Sequence, residues 1–150
     1  AMDIAQMAHL NQTRRSSGKP YIVHPRRVAT RARQLGYNKD IQIAAILHDV
    51  IEDAPDPKRY GELIKNYFGS KTLQIVKDLS HGKNKPYIDY IIGLWKRNPQ
   101  AFKVKMVDMV DNLTDQPSPS QVKKYTNAIK TLSQKGADIP DTVLKLIKNK

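Results

Sequence analysis

An all-α fold follows from three features of the sequence. Apolar residues recur at helical spacing in one segment after another, and Pro, Gly, Asn and Ser punctuate those segments. No stretch shows the alternating, β-branched pattern of a strand. At 150 residues the chain is long enough to close one core, and no internal repeat or low-complexity tract divides it. We therefore expect a single helical domain over residues 3–150, built from about seven to nine helices, with Ala1-Met2 a remnant ahead of the natural start.

The elements follow in order. Asp3–Arg15 reads as a first helix, with Asp3 at its N-cap and Ile4, Met7, Ala8 and Leu10 turned inward. Ser16-Ser17-Gly18-Lys19-Pro20 breaks it, since two hydroxyls, a Gly and a Pro favour a loop. Pro25 suits the first turn of a second helix that runs to about Leu35 and closes at Gly36-Tyr37-Asn38. Lys39–Asp53 is the central helix, apolar at 41, 43, 44, 46, 47, 50 and 51, and the two prolines of Ala54-Pro55-Asp56-Pro57 forbid its continuation. Asp56 or Pro57 opens a helix through Leu63, Ile64 and Phe68 that Gly69 closes, and Ser70 caps Lys71–Leu79. After the polar loop Ser80–Lys85, Pro86–Asn98 is too apolar to stand free and must pack. Pro99 starts Gln100–Thr114, the prolines and serines of 116–120 break the chain, and helices from Gln121 to about Gln134 and from Asp141 complete it. The basic segment after Pro117 is expected to lie over the core with its lysines outward and its end frayed.

Composition narrows the function. Zero cysteines exclude disulfides, thiolate metal sites and Cys nucleophiles. No apolar run approaches 18 residues and no leader pattern opens the chain, so a cytoplasmic location without a membrane span is expected. The net charge of +12 favours anionic partners. It is uneven: Arg14, Arg15, Lys19, Arg26, Arg27, Arg31 and Arg33 fall between Asn11 and Gln34 with no acid among them. Such a run is either a solvated surface or an anion-binding one.

The chemistry concentrates at the end of the central helix, where His48, Asp49, Glu52 and Asp53 follow an apolar face. Residues four apart on a helix lie one above the other, which puts His48 beside Glu52 and Asp49 beside Asp53. Carboxylates and imidazoles at a buried helix end need partners, and a divalent cation would supply one. Two further segments offer metal-type ligands: His24 at the start of the second helix, and Asp108 among the core positions of Val104–Asn112. Taken singly, His24 reads more simply as a helix-cap histidine, and Asp108 reads equally as half of a buried ion pair with Lys105 or an arginine.

The order His24, His48-Asp49, Asp108 resembles the signature of the HD-domain metal-dependent phosphohydrolases. The stretches AHLNQTRRSSGKPYIVHPRRVA, AAILHDVIED and VKMVDMVDNL are similar to the (p)ppGpp hydrolase domain of RelA/SpoT homologues and their small stand-alone relatives, over about His9 to Leu113. The resemblance implies an all-helical bundle with a core over 9–113 and C-terminal helices over 121–150. It implies that His24, His48, Asp49 and Asp108 bind one divalent ion, usually manganese; a mixed N/O donor set also suits other divalent transition metals. Glu52 and Asp53 match the family's catalytic acidic pair. Arg15 and Ser17 match its arginine and serine before PYIxHP, the arginine set against the guanine base, and Asn112 matches its nucleoside-contacting asparagine. Arg14, Lys19 and Lys105 are pyrophosphate candidates on charge alone. His9 matches the family's AH start, though a surface helix position is the simpler reading, and His81 lies in a polar loop without an evident partner.

Two departures bear on the substrate. Met109 and Asp111 stand where the long enzymes have a basic residue and an imidazole, and the loop after His9 is one residue longer, so Arg14 and Arg15 compete for the base. The resemblance thus implies removal of the 3′-pyrophosphate from (p)ppGpp, with another nucleotide as the alternative substrate. Too little chain follows Leu113 for a synthetase, so degradation alone is expected. A basic protein binding nucleic acid without turnover is the remaining alternative, and no recognition helix or aromatic-interleaved basic strand favours it.

Overall fold

A computed structural model describes residues 1–82 and 84–148, and among them ten helical segments follow one another with no strand. The first helix, α1 (Met2–Ala8), buries Ile4, Ala5 and Ala8, so Met2 lies inside an element. It is shorter than expected because the chain turns at His9, passes through Asn11 at φ 65° and doubles back, joining Thr13 to Pro20 in an isolated bridge. Leu10 is consequently 72% exposed and Met7 49%, rather than inward. α2 (Val23–Gln34) follows, with His24 and Pro25 buried in its first turn.

The expected central helix is two segments, α3 (Lys39–Leu47) and α4 (Val50–Asp53). Asn38 caps α3 by accepting from Ile41 N at 3.0 Å. The interruption falls on His48-Asp49, where Asp49 leaves helical geometry at φ −102°, ψ 0°. Neighbours on a regular helix point about 100° apart, and the break lets these two side chains converge. Counted as one interrupted helix, α3 and α4 bring the number within the expected range.

Asp56 caps α5 (Pro57–Phe68), accepting from Arg59 N at 3.2 Å. Gly69, at φ 92°, turns the chain into α6 (Ser70–Leu79), so Ser70 is the first helical residue rather than its cap. α7 (Tyr87–Arg97), α8 (Pro99–Thr114) and α9 (Pro119–Gln134) each begin at a proline or just after one. Asn98 caps α8 and Ser118 caps α9. α10 is Asp141–Lys148; the expected frayed end falls partly on Asn149 and Lys150, which lie outside the described residues.

The core sits around α8, which packs against α2, α3, α6, α7 and α10. Ten of its 16 residues are buried, among them Asp108 and Asp111. α9 rests on α7 and adds Tyr125, Ala128, Ile129 and Leu132 to the same core. No helix among the described residues is long and apolar enough to cross a membrane.

The packing makes a direct prediction. Leu94, fully buried on α7, should lose about 2–5 kcal/mol of unfolding free energy as Leu94→Ala. Leu144→Ala, at a position 40% exposed, should change it by only about 0.5 kcal/mol. Chemical denaturation followed by circular dichroism reads both.

Candidate metal centre and groove

Asp108 projects from the middle of α8 among core residues, so its carboxylate is held at both ends. Oδ2 accepts from Lys105 Nζ at 2.7 Å, one turn back on the same helix. Oδ1 faces two imidazole nitrogens, His24 Nε2 at 2.7 Å and His48 Nε2 at 3.1 Å. The ion pair with Lys105 and the approach to the histidines, which the sequence offered as alternatives, are both present.

The outer nitrogens of the two rings are committed elsewhere. His24 Nδ1 donates to Asp111 Oδ2 at 2.7 Å, and His48 Nδ1 donates to the Ala45 carbonyl at 2.7 Å. A proton on each Nδ1 leaves the neutral ring with its lone pair on Nε2. The two Nε2 atoms lie 3.2 Å apart. Asp49 Oδ2 completes the group, 2.9 Å from His48 Nε2 and 3.8 Å from His24 Nε2. One atom from each of His24, His48, Asp49 and Asp108 thus falls within 4.8 Å of the others. Two nitrogen lone pairs and two carboxylate oxygens repel one another unless protons or a cation lie between them, and this donor set fits a divalent transition metal.

Without a cation, protons take that place. Burial opposes charge on His48, but Asp49 and Asp108 override it and hold the imidazole well above its ordinary range. His24 is likewise raised, by hydrogen bonds to Asp108 and Asp111 acting against burial. The same contacts hold Asp49 and Asp108 low in spite of their burial, His48 dominating for Asp49 and Lys105 for Asp108.

Asp111 is the support that the sequence did not reveal. It is fully buried, pushed down to about 2 against its burial by hydrogen bonds from His24 and Arg27. Arg27 grips it bidentately at 2.7 and 3.0 Å and reaches Asp115 at 2.9 Å. Arg31 Nε stands 3.6 Å from Asp111, and Arg14 pairs with Asp115 at 3.0 Å. Three cations of the basic run therefore answer the protein's own carboxylates. The i, i+3 spacing from Asp108 to Asp111 is the signal that could have marked it. Met109 is fully buried and Asp111 faces His24, so neither of these two substituted positions lines the groove.

The cluster floors a cavity of about 490 Å³ that Glu52, Asp53, Arg15 and Asn112 also line. It opens into a groove of about 1050 Å³ between the 12–16 loop and the start of α9, sharing Arg15, Tyr21, Asp53, Asn112, Gln121 and Lys124. Glu52 and Asp53 both rise above the usual carboxylate range through burial and the Asp49 charge, Asp53 to about 6. Tyr21 Oη donates to Asp49 Oδ2.

Of the cationic candidates, Arg14 is occupied by Asp115 and by Asn112 Oδ1 at 3.2 Å, which leaves Arg15 as the exposed arginine on the groove. Ser17 Oγ accepts from Lys19 N at 3.3 Å, and neither residue is among those lining the groove. His9 is buried, not on the surface: it bonds Gln12 at 2.9 Å and packs 4.7 Å from the Tyr21 ring. His81 stacks on Tyr90 at 4.6 Å and lines the cavity. Gln121, Lys124 and Tyr125 reach the site from α9, a segment to which the sequence assigned only packing.

A family profile described as an HD domain matches residues 1–114. Among curated proteins, the guanosine-3′,5′-bis(diphosphate) 3′-pyrophosphohydrolase of Haemophilus influenzae is 46% identical over 77 residues, 51% of this chain and 11% of that one. The protein of the same name from Aquifex aeolicus is 32% identical over 120 residues, 75% of this chain and 17% of that one. The chain therefore spans less than a fifth of the length of these relatives. A solved structure described as a metazoan ortholog of SpoT that hydrolyses ppGpp superposes with a TM-score of 0.79 at 23% identity, covering 98% of this chain and 89% of that one. At that identity the likeness is one of fold.

Two measurements test this geometry. Asp111→Ala removes the acceptor that orients His24, and affinity for a divalent transition metal, titrated calorimetrically, should fall about 10–100-fold with helicity retained; unchanged affinity would refute the role. Asp53 binds its proton more tightly folded, at about 6, than at its ordinary 3.8, so its ionisation costs stability as pH rises through that window. Asp53→Asn should therefore stabilise EDTA-treated protein at pH 8, by on the order of 1 kcal/mol after solvent screening of this exposed group, and give no gain near pH 3.

Proposed function

The chain belongs to the HD-domain family, and from that premise we propose that it is a manganese-dependent phosphohydrolase that removes the 3′-pyrophosphate from guanosine tetra- or pentaphosphate. The observation that carries the reading is the convergence of His24, His48, Asp49 and Asp108 at the floor of a cavity that also presents two acids with raised carboxyls and an exposed arginine. The names of the curated relatives supply the substrate.

In this reading the four side chains hold one divalent ion, whose chemistry is to polarise a phosphoryl oxygen and lower the pKa of a bound water. Asp49 and Asp108 balance its charge, while Asp111 and the Ala45 carbonyl fix the ring orientations of His24 and His48. Glu52 and Asp53 stand at the mouth of the cluster with their carboxyls raised, so near neutral pH the pair can take a proton from the attacking water and return one to the leaving oxygen. The water oxygen bonds to phosphorus, the bond from phosphorus to the 3′ oxygen breaks, and the proton ends on that oxygen. GDP or GTP and pyrophosphate result. Arg15 offers a flat guanidinium to the guanine face, and Asn112 offers an amide to the nucleoside.

Hydrolysis of another nucleotide loses its main motive, because Met109 and Asp111 lie behind the site rather than in the groove. Non-catalytic nucleic-acid binding is weakened by the commitment of Arg14 and Arg27 to Asp111 and Asp115.

Conversion of ppGpp to GDP and pyrophosphate, followed chromatographically with Mn²⁺, is the test. Activity should vanish with EDTA and in His48→Ala and Asp49→Ala, and Glu52→Gln should lower kcat about 10²–10⁴-fold. Metal binding with no ppGpp turnover would defeat the substrate assignment and leave the site standing.

A further inference from the structure

The cations at the cavity differ in what already answers them. Lys105 is neutralised by Asp108, and Arg14 by Asp115. Lys124, on the second turn of α9, lines the cavity and the groove alike, and no ion pair among the described residues includes it. Its ammonium lies instead against two aromatic rings, 4.7 Å from the Tyr87 centroid and 5.3 Å from that of Tyr125, and those rings are 6.0 Å apart. Ring faces hold an ammonium in place without neutralising it. A second group beside it is also unanswered. Tyr87 lines the same cavity, and its Oη is buried with no hydrogen-bond partner among the described residues.

A buried hydroxyl without a partner costs free energy, and an ammonium has only donors to offer. One multi-oxygen anion would satisfy both, and the Asp108 carboxylate of the same cavity is already engaged by His24, His48 and Lys105. We propose that Lys124 Nζ and Tyr87 Oη form an anion subsite that grips a phosphate group of the substrate other than the one under attack at the His/Asp cluster. Which phosphate is under attack rests on the phosphohydrolase reading above. A nucleotide with a single phosphate would leave the subsite unmatched, so it selects for substrates that carry a second one.

Two sources supply that group, the far phosphate of a leaving pyrophosphate and the retained 5′-diphosphate, and binding of the products separates them. EDTA-treated protein would be titrated calorimetrically with inorganic pyrophosphate and, separately, with GDP, using the unaltered chain, Lys124→Ala, Lys124→Arg and Tyr87→Phe. Lys124 is exposed on its helix, so its variants retain the fold. Lys124→Ala should weaken at least one probe about tenfold, the loss expected for a hydrogen bond to a charged group. Lys124→Arg should keep most of the affinity, and Tyr87→Phe should lose a smaller part. A loss confined to pyrophosphate places the subsite beside the leaving group; one confined to GDP places it on the retained chain. Equal affinities of Lys124→Ala and the unaltered chain for both probes overturn the proposal, as does failure of the unaltered chain to bind either. Absence of ppGpp turnover with Mn²⁺ would count against the phosphohydrolase reading alone, because these binding measurements require no reaction.

Discussion

A line of charge-assisted hydrogen bonds runs along one stripe of α8, and the shape of the site depends on it. Lys105, Asp108, Asp111 and Asp115 recur every three or four residues, and successive carboxylates share partners, His24 between the first two and Arg27 between the last two. Asp108 draws in His24 and His48, Asp111 draws in His24 and Arg27, and Asp115 draws in Arg27 and Arg14. Carboxylates near a helix C-terminus are disfavoured by the helix dipole, and Asp111 is fully buried as well. Without Arg27 and His24 that position would be expensive. With them it fixes the start of α2, and Asp115 holds the 12–16 loop through Arg14 and Ser16, so two walls of the cavity are set against one helix.

The same line explains how a chain of net charge +12 builds an acidic floor. Glu52, Asp53, Asp49, Asp108, Asp111 and Asp115 are six of its 14 acids, and all lie at or behind this one site. The remaining surface is correspondingly basic and draws anions toward the molecule from a distance. At short range the floor would repel a phosphate, were its carboxylates not answered by imidazoles and Lys105. A polyanion can therefore approach a cavity whose deepest groups are acidic, with Arg15 and Lys124 at its walls.

The sequence disclosed most where local chemistry decides. Asn38, Asp56, Asn98 and Ser118 act as side-chain caps, and Pro57, Pro99 and Pro119 stand in first turns, so most helix boundaries could be read within a few residues. The His24, His48, Asp49 and Asp108 set was visible because three motifs carry it. The break inside 39–53 was not visible. No Pro or Gly interrupts the apolar pattern there, and His48 and Asp49 are held by Asp108 and Tyr21 from elsewhere in the chain. The choice between Arg14 and Arg15 was equally hidden, since it turns on Asp115, about a hundred residues away. His9 is hidden for the same reason: the chain turns immediately after it, and Tyr21 covers its ring.

Three groups at the cavity are left uncompensated by the described residues. Asp53 holds its proton at the cost of ionising late, and among the described residues the buried Tyr87 hydroxyl has no hydrogen-bond partner and Lys124 no carboxylate. Away from the cavity the described core is mostly apolar, with single unpaired polar atoms scattered on His9, Thr72 and Ser80. Selection for stability alone would remove such defects, because apolar or neutral replacements are available at each position. Their clustering around one set of converging lone pairs is what a site looks like when its missing partners are carried by the ligand. In the reading proposed above, the acceptor and the negative charge that Tyr87 and Lys124 lack are properties of a phosphate group, and the proton that Asp53 gives up late is one it can return to a leaving oxygen.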